Sequence, residues 1–244
     1  MSPTVTDAPQ RARRRRRGGE ATPKKPFLAE QLPWGAATYL DDPTQPIDAE
    51  GVEAIHNASM RILEEIGILF LNDDALDVLK AAGCDVDYET KRVRMDRGFV
   101  AEMAEKAPAQ FTITPRNPDR EITVGGRHFN FGQVASAPNV MDLDRGRRVG
   151  NRADFQDLLR LSQAYNCMRF NCGYPVEPID IHASIRHLDA HYDILTLTDK
   201  VIHAYSLGPE RIEDVMEMVR IAGGMTAEEF ELRPHMFTNI NSSS

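Results

Sequence analysis

Cysteine is scarce: Cys84, Cys167 and Cys172 are the only three among 244 residues, an odd number without CxxC spacing. That argues against a disulfide framework and against a cysteine-built structural zinc site. A reducing cytoplasm is the expected setting. No run of about 18 apolar residues is available to cross a bilayer. The arginines near the N-terminus have no apolar stretch behind them, so a secretory signal peptide is not expected. Positive charge is also sparse outside the first 26 residues. Residues 1–26 hold eight Arg or Lys against two acids, a net +6, within an overall formal charge of −8, so residues 27–244 stand at −14. A body this acidic is a poor partner for nucleic acid, whose affinity depends on neutralised phosphates.

What remains is an ordinary globular composition, 41% hydrophobic and 27% charged, long enough for one large domain or two small ones. Residues 1–26, with a five-arginine block from Arg13 to Arg17, carry little that could offset the entropy of ordering a backbone, and are expected to be a disordered basic tail. Contact of that block with RNA or an acidic partner is the weaker alternative to a solvated tail.

From residue 27 to 109 the pattern predicts a helical and hairpin segment. Asp48 is placed to cap a helix with Val52, Ile55, Ile62, Leu63 and Ile66 on one docking stripe and Gly67 at its end. A shorter helix is expected over 73–82, a strand pair near 84–95, and a helix over 97–106 that Pro108 terminates. Over 110–150 the period changes to alternation. Gly125-Gly126 and Asp144-Arg145-Gly146 predict two hairpins rather than phosphate loops, because neither turn opens a helix.

Beyond Asn151 helices and strands alternate. Asn151 caps one helix, another spans 181–198, a third opens at Pro209 and stops at Gly223-Gly224, and Thr226-x-x-Glu229 forms a capping box. Strands are expected near 129–133, 168–173, 201–206 and 236–241, about 35 residues apart. That spacing means βα units and a parallel sheet, either doubly wound or part of a (β/α)₈ barrel. A final strand without a helix to cover it leaves an open edge, so a truncated chain is expected.

The helix end ILEEIGILF, then LKAAGCDVD, the AP-x-x-FT-x-x-R stretch (Ala107, Pro108, Phe111, Thr112, Arg116), the turn MDLDRGRR, the helix start NRADF and the segment TDKVIHAYSLG occur in this order. This collinear set, over roughly residues 30–244, resembles the N-terminal half of the corrinoid-dependent trimethylamine methyltransferase family, whose relatives act on glycine betaine and other quaternary amines. The resemblance implies about four βα units, the first half of a (β/α)₈ TIM barrel, over 110–244, preceded by the helical and hairpin elaboration. It implies a methylated amine bound at the C-terminal mouth of the strands, with the methyl group passing to the Co(I) corrinoid of a separate carrier protein. The corrinoid is then carried by the partner and none is bound directly. A homo-oligomer is compatible with this class, and pyrrolysine, where present in the family, lies in the second half of the barrel.

On such a barrel the working end is where each strand finishes. That collects Phe131 and Gln133, Cys172 and Tyr174, Tyr205 and Ser206, and Asn239, Asn241 and Ser242. A methylated ammonium suits aromatic faces, each worth about 0.5–2 kcal/mol, which makes Tyr174 and Tyr205 the leading candidates, with capping of the barrel end as their alternative role. Asn239 and Asn241 could bond a substrate carboxylate or neighbouring backbone. His203 is either a satisfied core histidine or an acid–base group. His187 and His191 share a helix face, but with no third ligand a solvated face is expected instead of a metal site. No catalytic acid is singled out by spacing. The alternative to an enzyme is a non-catalytic half-barrel fragment.

Overall fold

The computed structural model describes residues 30–35, 37–205 and 208–240. The basic tail, Ser206, Asn241 and Ser242 lie outside them. The chain divides into residues 1–32 and 33–244, and every element named here belongs to the second unit.

The N-terminal part begins with β1 (Ala37–Thr38) and α1 (Ala49–Arg61), which starts where the Asp48 carboxylate accepts the Gly51 N–H at 2.8 Å. A π turn over Ile62–Ile66 extends the helix to Gly67, whose φ of +78° is the left-handed geometry that glycine adopts at least cost. The stripe expected to dock is not covered: Val52, Ile55, Ile62 and Ile66 are each at least half exposed. Then come β2 (Ile68–Leu69), α2 (Asp73–Ala81), β3 (Asp85–Asp87), β4 (Arg92–Arg94) and α3 (Arg97–Glu105). The three strands pair antiparallel in the order β2-β4-β3, and Leu76, Cys84, Val86 and Val93 form a small core with Phe70, Leu79, Met95 and Phe99 against it.

The first hairpin differs from expectation. β5 (Gln110–Ile113) pairs antiparallel with β6 (Ile122–Gly125), with Ile113 opposite Ile122, so the turn is the 114–121 segment rather than Gly125-Gly126. The two glycines, both at positive φ, redirect the chain into β7 (His128–Phe129), which pairs with β1. After β8 (Phe131–Gly132), the second hairpin forms as expected from β9 (Asn139–Asp142) and β10 (Gly146–Val149).

The remainder alternates: α4 (Arg152–Ala164), β11 (Met168–Asn171), α5 (Arg186–Leu197), β12 (Val201–Ala204), α6 (Pro209–Gly223), α7 (Ala227–Glu231) and β13 (Phe237–Thr238). Asn151 accepts the Asp154 N–H at 3.0 Å, and both bonds of the Thr226/Glu229 capping box are made. α5 starts at Arg186 rather than 181, because residues 172–185 form the connection from β11. β8, β11, β12 and β13 make a four-stranded, all-parallel sheet in chain order. Each crossover therefore steps the same way, and right-handed crossovers of that kind place their helices on one face.

The two faces have separate cores. On the helix side Phe155 and Leu159 of α4, Ala190 and Ile194 of α5, and Val215 and Val219 of α6 pack on Ile202, Ala204, Tyr174 and Val176. On the other side the β5–β6 hairpin lays Ile113 and Ile122 on Val201, with Trp34, Phe170 and Phe237 around them. No helix among the described residues is long and apolar enough to cross a membrane.

Candidate functional site

A row of rings runs along the C-terminal ends of the parallel strands. Tyr174 follows β11 by three residues and Tyr205 follows β12 directly, and their centroids are 4.8 Å apart, edge to face. Tyr205 lies 5.5 Å from His203, His203 4.9 Å from Phe237, and Phe237 5.4 Å from Phe170. His203 and Tyr205 are two residues apart, so β geometry turns them to the same side. The row starts in the helix-side core, where Tyr174 meets Phe155 at 5.8 Å, and passes around the strand ends to the opposite core.

Ser136, in the connection after β8, fastens this row. Its N–H donates to the Tyr174 carbonyl at 2.7 Å, and its hydroxyl is hydrogen-bonded to the Tyr205 hydroxyl. It does so at φ +60°, a left-handed conformation that a serine holds only when its surroundings over-determine it.

Beside the two tyrosines is a cavity of about 160 Å³, lined by Ser136, Tyr174, Glu177, Ala183, Arg186, His187, Tyr205 and Arg211. Arg186 and His187 come from the first turn of α5 and Arg211 from the first turn of α6. Burial pushes the hydroxyls of Tyr174 and Tyr205 up and raises the Glu177 carboxyl, which Arg186, 3.6 Å away, partly offsets. Both tyrosines therefore stay neutral near pH 7.

The histidine pair on α5 corrects the expectation of a solvated face: His187 is 7% exposed and His191 1%. The α5 face they share is turned into the protein, where His187 Nε2 is 2.8 Å from Asp214 on α6 and His191 Nδ1 donates to the His187 carbonyl at 2.7 Å. Burial pushes His191 down to about 4 and also lowers His203. No group of three or more metal-ligating side chains occurs among the described residues.

The other expected site residues are dispersed. Phe131 is 54% exposed and stacks on Phe129 at 5.8 Å. Gln133 bonds Asn171 and Ser162, both 3.3 Å away, between β11 and α4. Asn239 donates its backbone N–H to His203 Nε2 at 3.3 Å and borders a second cavity of about 480 Å³, on the hairpin side of the sheet, with Phe111, Phe129, Phe170 and Phe237. Cys172, half-buried, has its thiol raised by burial. Sequence reasoning missed Ser136, Glu177, Arg186 and Arg211. The helix starts, placed correctly at Pro209 and five residues early at residue 181 instead of Arg186, were the available signal.

These features define an α/β protein with a small polar and aromatic cavity at the C-terminal ends of parallel strands, the position where such sheets place their ligands. The family model for trimethylamine methyltransferase (MTTB) matches residues 11–244, and the chain belongs to that family. It is 36% identical over 191 residues to the glycine betaine methyltransferase of Desulfitobacterium hafniense (strain Y51), covering 78% of this chain and 39% of the relative. It is 27% identical over 197 residues to trimethylamine methyltransferase MttB of Desulfitobacterium hafniense (strain DSM 10664 / DCB-2), and 28% identical over 138 residues to the proline betaine:corrinoid methyltransferase of Eubacterium limosum. The chain thus spans about two fifths of the length of the first two relatives, 39% in each case.

Proposed function

We propose that this chain is the substrate-binding half of a methyltransferase that moves a methyl group from a methylated amine to the corrinoid of a separate carrier protein. The observation that carries this reading is the edge-to-face pair of Tyr174 and Tyr205 at the strand ends, beside the desolvated Glu177 carboxylate. An aromatic wall attracts a methylated ammonium through its π faces while tolerating its apolar methyl shell. A nearby carboxylate of limited hydration adds direct Coulomb attraction.

The chain-order parallel sheet with helices on one face supports the first half of a (β/α)₈ barrel over residues 110–244, with the helical and hairpin elaboration over 27–109 and the basic tail over 1–26. The corrinoid enters as the second substrate and supplies the nucleophile. The residues of this chain bind the amine, exclude water and fix the direction of the methyl group, which is where positioning contributes most to such a transfer. His203 and Asn239, hydrogen-bonded to each other beside Phe237, support the far side of the row.

The test is methyl transfer by the complete polypeptide to a reduced corrinoid protein, followed by cobalt absorbance, with a panel of methylated amines. Wild type is expected to turn over at least one amine, and Tyr205→Leu and Tyr174→Leu to raise its KM about 3- to 30-fold. Turnover unchanged in both variants would place the amine elsewhere.

A further inference from the structure

A second charged cluster lies at the N-terminal ends of the parallel strands, the end away from the ring row. Arg169 is the second residue of β11, Lys200 immediately precedes β12, and Arg120 ends the short helical turn between β5 and β6. All three approach the half-buried ring of Trp34. The guanidinium carbons of Arg169 and Arg120 are 4.3 and 4.6 Å from its centroid, and Lys200 Nζ is 5.6 Å away.

Negative charge in this cluster is short. Lys200 donates to the Ser162 and Tyr165 carbonyls at the C-terminal end of α4, and Arg120 Nε is 3.6 Å from Asp199, too far for a hydrogen bond, and buried without a partner. The Asp199 oxygens already accept from Asn117 and Gln163 at 2.6 and 2.8 Å. Arg169 is 5% exposed and has no hydrogen bond or ion pair with another described residue. An indole face attracts a guanidinium but offers its five N–H donors no oxygen. Burying such a charge unpaired is costly, and an unsatisfied buried group of this kind is the mark of a site completed by an ion. The neighbouring groups respond accordingly. Burial lowers Lys200 to about 8, with repulsion from Arg120 and Arg169 adding to it against Asp199 and Cys167, and burial lowers Arg169 as well.

We infer that this cluster is a binding site for a tetrahedral oxyanion, free or as the terminal group of a phosphate ester, with Arg169 as principal donor and Arg120 and Lys200 beside it. The site is separate from the tyrosine cavity and does not depend on the amine reading. Three cations face one carboxylate, so a doubly charged anion balances the cluster, and a guanidinium fork matches two oxygens of such an anion at once. Chloride supplies half of that charge and one point of contact. The Arg120 and Asp199 side chains, 24% and 26% exposed, bring the edge of the cluster to the surface, where an anion can enter.

The experiment follows Trp34 emission in the complete polypeptide, with the Trp34→Phe spectrum subtracted, during titration with sodium sulfate, sodium phosphate and glycerol 2-phosphate. Sodium chloride at matched ionic strength is the control. Wild type is expected to give a saturable change with sulfate and phosphate that chloride does not produce. Arg169→Met should weaken sulfate binding by at least about 10-fold, and Arg120→Met by a smaller factor. Each variant is first shown to be folded by its circular dichroism melt, and Arg120→Met, at the exposed edge, keeps the test decisive if Arg169→Met does not fold. Bound sulfate should also move the Lys200 transition upward from about 8, because a neighbouring anion favours the ammonium. Binding of the free anions alone assigns a free oxyanion, and binding of glycerol 2-phosphate as well assigns the terminal group of an ester. The absence of a saturable change in wild type, sulfate binding unchanged in the folded variants, or an unmoved Lys200 transition overturns the inference.

Discussion

The ring edge of Tyr205 occupies the space a β-carbon on Gly173 would need: Cε2 and Cζ lie 2.5 and 2.8 Å from that position. Gly173 also has φ +70°, so backbone and space both require glycine there. Gly173→Ala is expected to displace the Tyr205 ring from Ser136 and to cost about 1–3 kcal/mol of stability. A urea titration beside amine-binding measurements checks this, and a variant with unchanged midpoint and unchanged affinity would refute the packing argument.

Arg152 at the start of α4 grips Asp193 of α5 with two bonds of 2.8 and 3.0 Å, and Gln156 adds a third at 3.0 Å. The Asp193 side chain is only 4% exposed. Removing Arg152 leaves the buried Asp193 carboxylate with Gln156 alone, so Arg152→Ala should lower stability by about 3 kcal/mol. The double variant Arg152→Met/Asp193→Leu should recover part of the loss, as read from denaturant midpoints.

Acid sensitivity should originate in the buried histidines. His191 titrates at about 4 in the folded chain against an unfolded value near 6.5, so between those values the unfolded chain binds a proton the folded one refuses. Stability therefore falls as pH drops from about 6.5 towards 4, by up to about 1.4 kcal/mol per pH unit. His203 contributes in the same direction. His191→Asn should flatten the slope across that window in melts taken at a series of pH values.

Lys200 is 2% exposed, and burial lowers it to about 8 while its ammonium donates to the carbonyls of Ser162 and Tyr165. It lies 5.6 Å from the ring of Trp34, the one tryptophan in the sequence, which Arg120 and Arg169 also approach at 4.6 and 4.3 Å. Between about 8 and 10.5 the folded chain gives up this proton before the unfolded one, so the Lys200 contribution to stability rises with pH through that window. Trp34 fluorescence should titrate with a midpoint near 8 and lose that transition in Lys200→Met.

Signals confined to a few neighbouring residues were legible in the sequence. Asp48, Asn151, Pro209, Gly223-Gly224 and the Thr226/Glu229 box each act within one helical turn, and each sits where the pattern placed it. The four parallel strands were located because their alternation with helices is regular. Pairing was less legible: β6 joins β5 because Ile113 and Ile122 meet over Val201, a partner more than 75 residues away that local turn chemistry does not reveal. The His187/His191 face looked polar and proved buried, because Asp214 on α6 holds His187 from outside the local sequence and the His187 carbonyl, one turn earlier on α5, accepts from His191. The tyrosines of the site were readable from strand ends, whereas Ser136, Glu177, Arg186 and Arg211 come from two connections and two helix starts that only the fold assembles.

The ring row also bears on how selectivity in this protein could be altered. Tyr174, Tyr205, His203, Phe237 and Phe170 touch in succession, so the setting of each ring depends on the next. Contacting side chains couple by about 0.5–3 kcal/mol, enough for a single replacement to be harmful where a matched pair is neutral. New amine preferences would then be reached through compensating exchanges between neighbouring strands, and libraries that vary one position at a time would miss most of them.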